Sequence, residues 1–203
     1  VLICCAIILL VHACTVLLRH KGQFRERMPV LYGSIGTLFG ACYTTIVSCT
    51  IDAFRCDPNP NGLMTLHGYP SVICWDTASA AEARGLGRSD HDKMVAVGVV
   101  ASLIPLAFLA LTFWVVWRTP SKLASGDAKF LNTFKFFLFR FRPGAHWYMM
   151  VFNLRNLVIA ITPLIGREVV QILVLQCVMV PIAVGTAKAM PWSVGLANAL
   201  DVV

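Results

Sequence analysis

Several apolar runs in this chain approach or exceed the roughly 20 residues that a helix needs to cross a hydrocarbon core about 30 Å thick. Runs of that length leave few ways to fold. Of 203 residues, 58% are hydrophobic and only 13% charged, a balance well outside that of soluble domains. The excess apolar surface requires lipid, and the fold class that follows is all-α, a polytopic transmembrane helical bundle forming a single domain.

Five spans are predicted, over residues 1–18, 29–51, 94–117, 146–165 and 169–187. The first stops at a basic run of Arg19, His20, Lys21, Arg25 and Arg27. A long polar loop, residues 52–93, separates the second span from the third, and a basic loop, residues 118–145, separates the third from the fourth. The chain opens on Val1 inside an apolar run, without an initiator Met or a basic leader, so this run is a poor match to a signal peptide. It stops soon after a new apolar stretch begins at Pro191, and the expectation is a piece of a protein that continues in both directions, with further spans or subunits.

Orientation follows from the excess of Lys and Arg in cytoplasmic loops. Residues 19–28 and 118–145 with Lys188 carry eleven such residues, against five in residues 52–93 with Arg167. Seven of the ten acidic residues lie on the second side, so the net charge of +7 belongs mostly to the cytoplasmic face. Residue 1 and the 52–93 loop are therefore expected outside. Trp114, Trp117, Trp147, Tyr148 and Trp192 fall near the expected cytoplasmic interface, as an aromatic belt would. A nucleic-acid partner, the usual alternative for a basic chain, has no soluble domain to carry it.

Of eight cysteines, Cys4, Cys5, Cys14, Cys42, Cys49 and Cys177 fall in predicted spans, where a buried thiol usually acts as a small hydrophobe. Cys56 and Cys74 sit apart in the loop expected outside. They flank turn chemistry at Asp57-Pro58-Asn59-Pro60-Asn61-Gly62, and an oxidising compartment would let them pair as a disulfide. A pair of free thiols is the alternative.

Arg155 is the one strongly basic side chain inside a predicted span, about nine residues from its cytoplasmic end and close to Asn153 and Asn156. At about 1.5 Å per residue it lies roughly 13 Å deep, where a bare charge costs a few kcal/mol or more. It must face the bundle interior, pair, or snorkel to the headgroups. No acid lies at matching depth in the other predicted spans, so the partners expected are Tyr43, Thr44, Thr45 and Ser48, backbone carbonyls, a lipid phosphate or a carboxylate beyond the fragment. A lone Arg does not make a voltage sensor. A pathway or gating role and a plain anchoring role both fit.

Between Lys129 and Arg142 the cations Lys129, Lys135, Arg140 and Arg142 alternate with Phe130, Phe134, Phe136, Phe137 and Phe139. Such a segment should lie in the cytoplasmic interface against anionic lipid, as a regulatory phosphoinositide site or as a simple interfacial elbow. Gly36-x-x-x-Gly40 permits close helix approach, and Pro105, Pro163 and Pro181 should kink the third, fourth and fifth spans. The five histidines show no metal-ligand spacing, and no phosphate loop, nucleophile elbow or embedded carboxylate pair is present. No catalytic residue, metal or cofactor is expected, and the chain does not read as an enzyme.

The runs Phe54-Arg55-Cys56 and Tyr69-Pro70-Ser71-Val72-Ile73-Cys74-Trp75, followed by a span with a mid-helix Pro, are one half of a pattern. The other half is Phe139-Arg140-Phe141-Arg142-Pro143, Trp147-Tyr148 and Leu154-Arg155-Asn156-Leu157. Together they resemble the membrane domains at the C-termini of large protist surface proteins, a group described as transient-receptor-potential-like or polycystin-like. The resemblance covers residues 54–75 and 139–157 and implies a channel-like or receptor-like membrane domain in the plasma membrane or another secretory-pathway membrane. The alternative is a membrane anchor for an extracellular module outside this fragment.

Overall fold

The computed structural model describes residues 2–19, 22–60, 62–75, 90–142 and 144–202. Residues 76–89, which belong to the loop expected at 52–93, lie outside the described residues, as do His20, Lys21 and Pro143.

The described residues are mostly helical, at 76%. The helices are α1 (Leu2–Arg19), α2 (Phe24–Ala41), α3 (Tyr43–Ile51), α4 (His91–Ala124), α5 (Ala128–Thr133), α6 (Lys135–Leu138), α7 (Tyr148–Ile161), α8 (Glu168–Ala189) and α9 (Gly195–Val202), with 3₁₀ turns at Asp52–Phe54 and Thr162–Leu164. Two of them, α4 with 34 residues and α8 with 22, are long and apolar enough to cross a membrane, or three if α2 and α3, broken at Cys42, count as one crossing. Many of their apolar residues point outward. Val97, Val100, Leu103 and Ile104 of α4 and Val169, Ile172, Leu173 and Val180 of α8 are all exposed, which in water would be a large unfavourable area.

Length departs from the five-span expectation. The first and fourth apolar segments form short helices, α1 of 18 residues and Tyr148–Leu164 of 17 with its 3₁₀ turn included, at the short limit for a crossing. The fourth is cut short because Pro163 lies in the 3₁₀ turn where α7 ends. Pro105 and Pro181 terminate nothing, since α4 and α8 run through them. The third span is longer than predicted, and α4 carries on through Arg118 to Ala124, so the basic segment 118–145 is largely helical rather than a loop.

A second departure from the all-α expectation lies in the 52–93 segment. It holds an antiparallel three-stranded sheet in the order β1 (Cys56–Pro58), β2 (Met64–Leu66), β3 (Tyr69–Ile73). Cys56 pairs with Leu66 and Pro58 with Met64. The β1–β2 connection closes through Gly62, whose φ of +80° suits glycine, with the Asn59 amide donating to the Leu63 carbonyl at 2.8 Å.

The residues fall into two compact units. The first comprises Val1–Tyr43, Leu109–Asn156 and Val178–Val203. In it α1 packs on α2, and α2 packs on α5 and α6. Its interior holds Val16, Val115, Phe130, Phe137, Phe141 and Tyr148. The second comprises Thr44–Phe108 and Leu157–Cys177 and holds the sheet, with Val47, Leu66, Cys74, His91 and Ala160 buried.

Candidate functional site

The first unit is organised around Arg155. On α7, Tyr148, Phe152 and Arg155 are spaced by four and three residues and share a face. Helix α8 stops before Met190, whose φ is +41°, and the chain then turns back along the segment before α7. The Arg142 amide donates to the Pro191 carbonyl at 2.8 Å and the Ser193 amide to the Arg140 carbonyl at 3.0 Å. Asn198 secures this return by bonding both ways with the Trp192 backbone, its Oδ1 accepting from the amide at 3.0 Å and its Nδ2 donating to the carbonyl at 3.1 Å. One turn further along α9 stands Asp201.

The carboxylate of Asp201 is the partner of Arg155. Nη1 lies 2.6 Å from Oδ1, and the two side chains are only 10% and 9% exposed. Oδ2 accepts from the Tyr148 hydroxyl at 2.8 Å and from the Trp192 indole Nε1 at 2.9 Å. The Tyr148 hydroxyl also meets Thr186, whose own hydroxyl reaches the Ile182 carbonyl at 2.8 Å. Two hydroxyl hydrogens thus serve three contacts, so one is left without its proton at any moment. The guanidinium stands 5.0 Å from the Phe152 ring centroid, a cation–π arrangement. Its Nε has no partner among the described residues.

The acceptor expected among Tyr43, Thr44, Thr45 and Ser48, or beyond the fragment, is thus corrected to Asp201. Sequence reasoning missed it because α9 lies after the last predicted span and depth was compared only among spans. Of the neighbours singled out with Arg155, Asn153 is fully buried and donates to the Thr112 hydroxyl at 3.1 Å. Its Oδ1 has no partner among the described residues. Asn156 is half-buried and takes no part in the Arg155 network.

The basic segment separates its two kinds of residue only in part, since Phe139 is exposed. Phe130, Phe137 and Phe141 are buried in the first unit, and the Phe136 ring lies over Gly36 of α2, so that a Cβ there would meet Cζ at 2.1 Å. Lys129, Lys135 and Arg142 are exposed and Arg140 is half-buried. Asp127 caps α5, accepting from the Phe130 amide at 3.0 Å and from Lys122 Nζ at 2.9 Å. Those bonds, that of Lys122 first, hold its carboxyl below the usual carboxylate range.

In the second unit Cys56 and Cys74 form the expected disulfide pair, 18 positions apart with Cα atoms 6.3 Å apart. Beside it His91, 1% exposed, opens α4. Its Nε2 lies 3.1 Å from the Ala53 carbonyl, and its Nδ1 accepts from the Trp75 amide at 3.3 Å. One neutral tautomer satisfies both bonds. Sequence spacing could not join a histidine 35 positions from Cys56 to the pair. No protein family, curated protein or solved structure matches this chain.

Proposed function

We propose that the chain is part of a polytopic membrane domain of channel-like or receptor-like kind, in which the Arg155–Asp201 pair couples α7 to the segment after α8. The observation that carries this is the burial of Arg155 in an ion pair. A guanidinium serving only as an anchor would snorkel to headgroups and need no buried carboxylate. Two charges withdrawn from water are costly unless held in good geometry, and an intramembrane ionisable group is by default a functional one. In the topology we favour, α1 and α7 join α4, α8 and the α2–α3 pair as crossings, with residues 52–93 outside and the exposed Lys129, Lys135 and Arg142 against anionic lipid. A plasma or other secretory-pathway membrane accords with the Cys56–Cys74 pair.

Purified full-length protein in vesicles tests this, by ion flux and by ligand-dependent changes in fluorescence. The wild type is expected to respond. Arg155→Lys, and a double replacement of Arg155 and Asp201 by Leu, should keep the helical signal and lose the response. A wild type that is inert to both measurements, in a protein whose extracellular module still reaches the cell surface, would make the chain an anchor.

A further inference from the structure

A disulfide needs no third group, yet a buried imidazole stands against this one. Cys56 Sγ lies 3.9 Å from His91 Nε2, and one potential ligand atom from each of Cys56, Cys74 and His91 falls within 4.8 Å of the others. Cys74 and His91 are almost wholly enclosed, at 5% and 1% exposure. These residue types at this separation suit a tetrahedral thiophilic cation, with metal–sulfur bonds of about 2.3 Å and metal–nitrogen bonds of about 2.0 Å. We propose that, with the disulfide reduced, Cys56, Cys74 and His91 form a three-ligand site for a soft divalent metal ion such as zinc, with the fourth position open to water.

The chemistry balances in two steps. Two equivalents of an external thiol reduce the disulfide to two cysteine thiols and leave as their own disulfide. The divalent ion then displaces a proton from each thiol into solvent, and the two thiolates, with His91 neutral, cancel its two positive charges. Both steps keep the same three elements together, since Cys56 stands on β1, Cys74 follows β3 and His91 opens α4. The imidazole can coordinate through either nitrogen, giving up the Ala53 carbonyl at Nε2 or the longer Trp75 contact at Nδ1. Coordination through Nδ1 leaves Nε2–H donating to the Ala53 carbonyl, as ligating histidines commonly do, whereas coordination through Nε2 moves the proton to Nδ1 and gives up the Trp75 amide as well. The loop then has two chemical forms, a disulfide under oxidising conditions and a metal staple under reducing ones.

The probe is Co²⁺ added to the full chain in detergent, after reduction by a phosphine and removal of the reductant without air. Reduced wild type should give thiolate-to-cobalt charge-transfer and tetrahedral d–d bands that Zn²⁺ abolishes. The oxidised protein should give neither. Cys74→Ser and His91→Ala should each weaken binding at least tenfold. Because six other cysteines are present and either variant could misfold, X-ray absorption of the zinc-loaded wild type supplies a second readout, with two sulfur ligands and at least one imidazole expected. Absence of the bands in reduced wild type, their survival in Cys74→Ser, or a zinc shell of other composition would each overturn the proposal.

Discussion

Arg155 and Asp201 stand 46 positions apart in sequence, and each makes the other tolerable. Removing one partner strands a buried charge, which costs about 3–5 kcal/mol, whereas replacing both by apolar residues is often neutral. Arg155→Leu and Asp201→Leu should therefore each lower stability in detergent melts by that order, and the double variant should recover most of the loss. A double variant as unstable as the sum of the two would show that the pair contributes through its other contacts, those of Tyr148, Trp192 and Phe152. Asp127 offers a pH test. Its folded carboxyl is depressed below the ordinary value of 3.8 by Lys122 and the Phe130 amide, so its stabilisation of α5 is present above that value and fades as pH falls through the lower folded one. The protection factor of the Phe130 amide, the exchange rate of unstructured peptide relative to its own at the same pH, should fall in that acid window, and in Asp127→Asn this fall should be absent.

At the scale of elements, glycines decide how closely helices meet, and the small-residue spacing did not say what would fill the space at Gly36. Gly36 admits the ring of Phe136 from α6 rather than another helix backbone. The close helix approach is at Gly98 of α4, where a Cβ would lie 3.0 Å from the Thr50 carbonyl and 3.2 Å from Ala53 Cβ. A ring edge can swing aside and a backbone cannot. Gly36→Ala should thus be mild and be relieved further by Phe136→Ala, while Gly98→Leu should cost about 1–3 kcal/mol, as overpacking generally does, with no single side-chain rescue. Thermal melts of the four proteins in one detergent would check the order. Of the three mid-span prolines, Pro163 ends α7 in a 3₁₀ turn while Pro105 and Pro181 lie within continuous helices.

For the whole molecule the decisive measurement is topology. Glycosylation acceptors engineered near Gly87 and near Ser125 should be modified at the first site and not the second, given the excess of Lys and Arg on the 118–145 side. The reverse pattern would invert the orientation and remove the oxidising setting of Cys56 and Cys74. Hydropathy by itself determined that long apolar helices dominate, that α4 and α8 can cross a membrane, and that two cysteines stand apart from the rest, because those properties are local sums over neighbouring residues. Helix lengths near the ends of runs were less legible, since capping, a proline turn or one further helical turn decides them. Only the tertiary structure brought Asp201 to Arg155, His91 to the disulfide and Phe136 to Gly36. Each of these meetings depends on where the chain turns back, at Met190 after α8 or at the sheet between α3 and α4, and a buried charge reveals in sequence that it needs a partner without revealing which distant residue the fold will supply.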